Sequence, residues 1–166
     1  MNAEKIASVG HSIDIACERF GDPQAPAVLL VQGLSMQMVT WQEEFCGELV
    51  ARGLQPIRFD NRDIGRSTHL TGARTPDLPA ALAGDLSSAS YTLSDMAADG
   101  IGLLDALGID GAHVAGVSMG GQIAQTIVTE TIRAGRRVTR DRKAGGSETG
   151  VSRSRVVDAT ELRVVP

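Results

Sequence analysis

A serine flanked by glycines is the clearest candidate for chemistry in this chain. Residues 113–125 begin as a short apolar run typical of a buried strand and continue with the apolar spacing of a helix. Between the two lies the pattern Gly116-x-Ser118-x-Gly120, followed by Gly121. A serine at a sharp strand-to-helix turn has strained backbone, and glycines on both sides remove side chains that would collide there. The pattern therefore predicts an exposed serine nucleophile above a sheet, with the helix N-terminus facing any negative charge that develops.

Two other kinds of glycine-rich site fail on the residues that would touch phosphate. A Rossmann fingerprint requires a glycine where Ser118 stands. A P-loop would continue with lysine and then serine or threonine, whereas Gln122 and Ile123 follow Gly121. A glycine-rich turn that only packs a helix on a strand stays open as the alternative to a nucleophile.

The elements that would position this serine alternate between strands and helices. The patterns first predict two opening strands over residues 5–20, a buried strand at 27–31, a helix from a capping box at 40–43 to Gly53, and a strand at 56–60. After a long loop over 67–91, they predict a helix that begins at Thr92 and ends at Gly108, a strand at 112–117, and a helix to about residue 130. Such alternation predicts an α/β fold with a parallel sheet.

With strand, turn and helix in this order, residues 1 to about 130 resemble the serine-nucleophile branch of the α/β-hydrolase superfamily. Within that branch they resemble the serine esterase, lipase and aclacinomycin-methylesterase-like members. The resemblance implies a carboxylic ester hydrolase that forms an acyl-enzyme, acts on a small-molecule ester and needs no cofactor. Thioesterase, haloperoxidase-like and C–C hydrolase members share such elbows and stay open. Serine at position 118 disfavours the dehalogenase and epoxide-hydrolase branches, which use aspartate there.

The resemblance also implies two backbone donors for an oxyanion hole. In the family the turn after the buried strand, commonly a His-Gly pair, carries one of them, and here the turn reads Gln32-Gly33-Leu34. We therefore expect the amides of Leu34 and Met119 to converge on a developing oxyanion. Gln32 stands where the family commonly has histidine, so the sequence does not show which side chain holds the backbone donor of this turn in place. A plain glycine turn is the alternative.

Two further features near the predicted strands have structural interpretations. Residues 60–67 match the family's D-x-R-x-x-G-x-S turn, in which we expect Asp60 and Arg62 to form an ion pair or hydrogen bonds rather than to catalyse. Trp41 begins an apolar stripe at helical spacing, so it is expected to pack in the core, with pocket lining as the alternative.

The rest of the family's catalytic triad has no complete counterpart. The triad continues along the chain with an acid and then a histidine. No histidine follows Ser118, and the three that precede it are His11, His69 and His113. Of these, only His69, in the long loop, is expected to have any reach toward the serine. The acids that follow in the family's order are Asp141, Glu148 and Asp158.

Composition changes abruptly near residue 130. Residues 1–130 contain 7 Lys/Arg and 16 Asp/Glu, whereas residues 131–166 contain 9 and 4, and all five aromatic residues lie at or before Tyr91. The basic tail over 131–166 is rich in Gly, Ser and Arg, a composition typical of disorder. We expect that a shifted reading frame or premature join replaced the rest of a hydrolase, so that the cap and C-terminal strands are missing and the chain is inactive. A non-catalytic half-domain that needs a partner is the alternative.

The remaining patterns exclude several classes. No apolar run is long enough to span a membrane, and no secretory signal is visible at the start. Cys17 and Cys46 have no metal or disulfide spacing, which predicts two buried thiols, no metal site and a cytoplasmic protein. Nucleic-acid binding is disfavoured because no aromatic residues interleave with the basic ones in the tail. The oligomeric state has no signal in the sequence.

Overall fold

One mixed sheet with helices on both faces forms the molecule in the computed structural model, which describes residues 4–133 and 157–158. The strands are β1 (Lys5–Gly10), β2 (Ile13–Arg19), β3 (Ala27–Val31), β4 (Gln55–Phe59), β5 (Ala112–Gly116) and β6 (Val157–Asp158). The helices are α1 (Glu43–Ala51), α2 (Leu78–Leu82), α3 (Leu93–Ala106) and α4 (Met119–Arg133), with a 3₁₀ turn at Met38–Thr40. The strands and helices alternate along the chain, so the α/β architecture predicted from the sequence is confirmed.

The sheet order β1-β2-β4-β3-β5-β6 places β3 between β4 and β5. β1 and β2 are the two predicted opening strands and pair antiparallel, and β2 also runs antiparallel to β4. β4, β3 and β5 are parallel, so their carboxyl ends meet at one edge of the sheet. All five residues of β3 are buried, which is what a continuous apolar run at the centre of a parallel sheet predicts.

Among the described residues, the outer edge of β5 pairs with β6 at two positions. Val157 lies opposite Ala115, and Asp158 lies opposite Gly116, in parallel register. Within the predicted tail, α4 continues three residues beyond 130 to Arg133. The rest of the tail, and with it Asp141 and Glu148, lies outside the described residues.

Side chains of the central strands alternate between two cores. The larger core lies between the sheet and helices α3 and α4, and Leu29, Leu103 and Ile123 are fully buried in it. The smaller core lies under α1 and contains Val28 and Leu30. Alternate residues of β3 thus serve opposite faces, as the two-residue period of a strand requires.

The start of α1 differs from the prediction. The helix begins at Glu43 with Gln42 as its N-cap and no side-chain cap, so the capping box proposed for residues 40–43 is wrong. The hydroxyl of Thr40 instead donates to the carbonyl of Gln37, 2.7 Å away, and accepts from the side-chain amide of Gln32. The Thr40 hydroxyl, which the predicted capping box requires, is therefore already bonded to Gln32 and Gln37.

Trp41 precedes α1 and packs against the smaller core. Its ring stacks on Phe45 with centroids 5.4 Å apart. The indole nitrogen is buried and has no hydrogen-bond partner among the described residues. These contacts favour the core-packing interpretation over pocket lining.

The helix start predicted at Thr92 is confirmed, and Thr92 and Asp95 form a capping box there. The Thr92 hydroxyl accepts from the amide of Asp95, and the Asp95 carboxylate accepts from the amide of Thr92, 2.7 Å away. The hydrogen bonds from Thr92 lower the pKa of Asp95. The helix ends before Gly108, which has a φ of +69°. The short helix α2 inside the long loop was not anticipated.

We expect Thr92→Ala to lower the free energy of unfolding by about 1 kcal/mol, because it leaves an end amide of α3 without its side-chain acceptor. Ser94→Ala on the exposed surface of the same helix is the matched control and should change stability by less than about 0.5 kcal/mol. Urea melts followed by circular dichroism measure both. Equal effects of the two substitutions would contradict a stabilising role for the cap.

Candidate active site

Ser118 occupies the turn between β5 and α4. It is exposed, and its φ of +55° lies in the left-handed region that a non-glycine residue adopts only at a cost. The glycines on either side allow this turn to close. A Cβ on Gly116 would lie 2.2 Å from the carbonyl oxygen of Gly120, and a Cβ on Gly120 would lie 2.3 Å from the carbonyl oxygen of Val31. Both distances are far inside van der Waals contact, so only glycine fits at either position.

Gly121 differs from the other two glycines. A Cβ there would lie 3.6 Å from the carbonyl oxygen of Gly116, an ordinary contact distance. The two glycines that flank the serine are therefore dictated by sterics, whereas Gly121 leaves room for a methyl group.

The turn after β3 lies directly against this serine. A Cβ on Gly33 would lie 3.2 Å from Cβ of Ser118 and 3.7 Å from its Oγ. The amide of Val117 donates to the carbonyl of Val31 over 3.2 Å, which joins the two turns at the edge of the sheet. Within the described residues, the amides of Leu34 and Met119 donate no hydrogen bond. Two free N–H groups thus belong to the two turns that meet at Ser118.

Gln32 anchors the turn in place of the family's histidine. Its side chain is buried, with the amide nitrogen donating to Thr40 and the amide oxygen accepting from the Gly33 amide over 3.2 Å. Its carbonyl accepts from the side chain of Asn61 over 3.1 Å. The support that the sequence left in question therefore exists. Asn61 was missed, since nothing in the local sequence links it to a turn 29 residues away.

The D-x-R-x-x-G-x-S segment is a structural turn around a buried carboxylate. Asp60 accepts from the amide of Met38 over 2.7 Å and from the amide of Arg66 over 3.1 Å. Gly65 packs so closely that a Cβ there would lie 2.0 Å from the Asp60 carboxylate. Ser67 donates to the Asp60 carbonyl over 2.6 Å. The segment holds the loop that begins beside the candidate site.

Arg62 pairs with Asp99 rather than with Asp60. Its guanidinium donates to both carboxylate oxygens of Asp99 over 2.6 and 2.7 Å and lies over the ring of Tyr91. Both charged side chains are nearly buried, and the hydrogen bond to Asp99 raises the pKa of Arg62. Asp60 and Arg62 both have the structural contacts expected of them, but Arg62 forms its ion pair with Asp99 on α3, which the sequence did not indicate.

No histidine partners the serine within the described part of the chain. His11 lies in the turn between β1 and β2, and His113 lies on β5 five residues before Ser118. The Nε2 atom of His69 lies 3.1 Å from the carbonyl oxygen of Gly65. The Ser118 hydroxyl itself forms no hydrogen bond to any residue that the structure describes.

Both cysteines are buried free thiols, as predicted. Burial raises the pKa of Cys17 to about 11 and that of Cys46 to about 11. Among residues 4–133 and 157–158, no group of His, Cys, Asp and Glu side chains is arranged to hold a metal ion. The helices in this part of the chain are all too short or too polar to cross a membrane.

The family model for the alpha/beta hydrolase fold matches residues 26–131. The chain belongs to the α/β-hydrolase-fold family. It is 34% identical over 113 residues to the rhodomycin D methylesterase DnrP of Streptomyces peucetius, and 33% identical over 113 residues to DauP of Streptomyces sp. strain C5, which bears the same name. Each alignment covers 68% of this chain and 33% of the relative, so the chain spans about a third of their length.

Solved structures agree on the fold. The thioesterase domain from the curacin biosynthetic pathway superposes with a TM-score of 0.64 at 22% identity, covering 83% of this chain and 44% of that one. The 2-hydroxy-6-oxo-6-phenylhexa-2,4-dienoate hydrolase of Rhodococcus sp. strain RHA1 superposes with a TM-score of 0.60 at 22% identity. The superposition covers 80% of this chain and 43% of that one. The described strands and helices correspond to part of the fold in each.

Proposed function

We propose that this chain carries the nucleophile part of a carboxylic ester hydrolase, with Ser118 as the nucleophile. The observation that carries the proposal is the strained, exposed serine at φ +55°, packed against a second turn with a free backbone donor on each side. Strain at a non-glycine residue persists only where the surrounding structure imposes it, and it concentrates at functional sites.

The chemistry follows from the positions of these groups. Oγ of Ser118 attacks the ester carbonyl carbon as a base removes its proton, and the carbonyl oxygen becomes an oxyanion. The amides of Leu34 and Met119 stabilise that oxyanion. The alkoxide then leaves with a proton, and water attacks the acyl-enzyme to release the acid and restore the serine.

The ester class rests on the named activity of the relatives. DnrP and DauP are methylesterases by name, at 34% and 33% identity. The thioesterase domain and the Rhodococcus hydrolase share the fold at 22% identity, which does not discriminate between an oxygen ester and a thioester. Ester hydrolysis is therefore the first candidate and thioester hydrolysis the second.

We further propose that the 166-residue chain hydrolyses esters poorly, because the Ser118 hydroxyl has no base within the described residues. In the serine protease subtilisin, removal of triad members leaves roughly 10³–10⁴-fold catalysis over water from the oxyanion hole and binding alone. We expect turnover of p-nitrophenyl acetate at or below that level, measured by p-nitrophenolate release with Ser118→Ala as the reference.

Added imidazole supplies the base that the described residues lack. We expect imidazole to increase the ester hydrolysis rate of the chain above the sum of imidazole alone and Ser118→Ala with imidazole. Robust turnover without imidazole that Ser118→Ala abolishes would show that the chain provides its own base, and His69→Ala would then be the first variant to test. No imidazole-dependent difference between the chain and Ser118→Ala would favour the alternative of a non-catalytic interaction half-domain.

A further inference from the structure

We propose that Leu34, Met36 and Val117 form an apolar rim beside Ser118 that binds the acyl part of a neutral, apolar ester and disfavours anionic substrates. The inference rests on the proposed role of Ser118 and adds the substrate class to it.

All three rim residues flank the contact between the two turns. Leu34 and Met36 lie on the turn after β3, which a hydrogen bond from the Met36 amide to the Gly33 carbonyl closes over 3.4 Å. Gly33 in turn abuts Ser118. Val117 immediately precedes the serine, and its carbonyl oxygen lies 3.2 Å from the position of a Cβ on Gly33. Each rim residue therefore lies within three chain positions of Gly33 or Ser118, the two residues that meet there.

The rim residues are exposed although their types are usually buried. Leu34 is 71% exposed, Met36 43% and Val117 37%. Val39 is also exposed, but it borders a separate surface depression with Glu43 and Arg58 and is therefore not part of the rim. Single exposed apolar residues need no explanation, whereas a group around a candidate nucleophile indicates a binding surface.

The segments that form the rim lack charge. Residues 32–42 and 111–129 contain no Asp, Glu, Lys or Arg. The nearby carboxylate of Asp60 is buried and already accepts two backbone amides. An anionic substrate would therefore find no cation among the residues of either turn. It would also meet the field of residues 1–130, which contain 16 acidic and 7 basic side chains.

A thiol placed at the serine position tests the rim without requiring ester hydrolysis. In Ser118→Cys, the thiolate attacks the sulfenyl sulfur of an alkyl methanethiosulfonate, a mixed disulfide forms and methanesulfinate leaves. Rate constants for hexyl methanethiosulfonate and for the anionic sulfonatoethyl reagent are measured by intact-protein mass spectrometry. Cys17 and Cys46 are not expected to react with the reagents, because both thiols are buried and have raised pKa values. The chain without the Ser118→Cys substitution is treated in the same way to verify this.

Gln125→Cys provides the matched control, since Gln125 is exposed on α4 with Gln122 and Thr129 as its helical neighbours. We expect the hexyl-to-sulfonatoethyl rate ratio at position 118 to exceed the ratio at position 125 by about tenfold, the factor that burial of roughly two methylene groups produces. Leu34→Gln in the Ser118→Cys background should reduce the excess severalfold, whereas Leu34→Met should preserve it.

Equal hexyl-to-sulfonatoethyl rate ratios at positions 118 and 125 would contradict the proposed rim. A higher ratio at position 118 that is unchanged by Leu34→Gln, in a variant with an unchanged thermal melt, would also contradict it. Thiol exchange needs neither the oxyanion donors nor a base. The result is therefore independent of whether Ser118 proves to be the esterase nucleophile, and a failure of either proposal is recognisable separately.

Discussion

Gly120→Ala is expected to lower the free energy of unfolding by about 3 kcal/mol, at the upper end of the cost of overpacking. The added methyl group would lie 2.3 Å from the carbonyl oxygen of Val31 and 2.7 Å from that of Gln32. Neither atom can move aside alone, because both belong to the end of β3 and the turn that follows it. The substitution therefore separates α4 from β3, and thermal melting followed by circular dichroism measures the loss.

Gly121→Ala is the matched control on the same helix. The methyl group there meets only an ordinary contact at 3.6 Å, and alanine favours the helical backbone over glycine. We expect the free energy of unfolding to stay the same or to rise by up to about 1 kcal/mol. If the two substitutions cost the same, the close approach of α4 to β3 is wrong.

The second large effect is expected at the buried ion pair. Asp99→Ala leaves the Arg62 guanidinium nearly buried without its carboxylate, and such a change typically costs about 3–5 kcal/mol. Glu48→Ala is the control, because the ion pair of Glu48 with Arg52 is exposed and should contribute at most about 0.5 kcal/mol. Chemical denaturation of both variants gives the comparison.

The double variant Arg62→Met, Asp99→Leu tests the physical cause. Replacing both charges by apolar side chains of similar size removes the unpaired charge, so we expect it to be more stable than Asp99→Ala. A double variant as unstable as Asp99→Ala would show that shape, rather than the uncompensated charge of Arg62, determines the loss.

Local patterns in the sequence predicted the elements that carry the site. The glycine spacing placed Ser118 between a strand and a helix, and the structure shows that Gly116 and Gly120 occupy positions with no room for a side chain. The helix start at Thr92 was predictable for the same reason, since the residues that cap a helix start are three positions apart. Where a few adjacent residues contain the whole interaction, the sequence is sufficient.

Contacts between distant segments were not predictable in this way. Asp99 meets Arg62 across 37 positions, and Asn61 supports the Gln32 carbonyl across 29. The same limit explains the wrong capping box at residues 40–43, where the Thr40 hydroxyl bonds to Gln32 instead of capping α1. Such pairings depend on which strands become neighbours, and a single sequence does not specify the side chains that meet there.

Covalent labelling tests most directly whether Ser118 is a nucleophile held beside two oxyanion donors. An alkyl fluorophosphonate reacts by forming a bond between Oγ and phosphorus with loss of fluoride, so the modified residue can be located by peptide mass spectrometry. We predict that imidazole accelerates labelling of the folded chain, that the label maps to Ser118, and that Ser118→Ala abolishes it. Labelling that persists in Ser118→Ala, or a folded chain that stays unlabelled at Ser118 with imidazole present, would contradict the account.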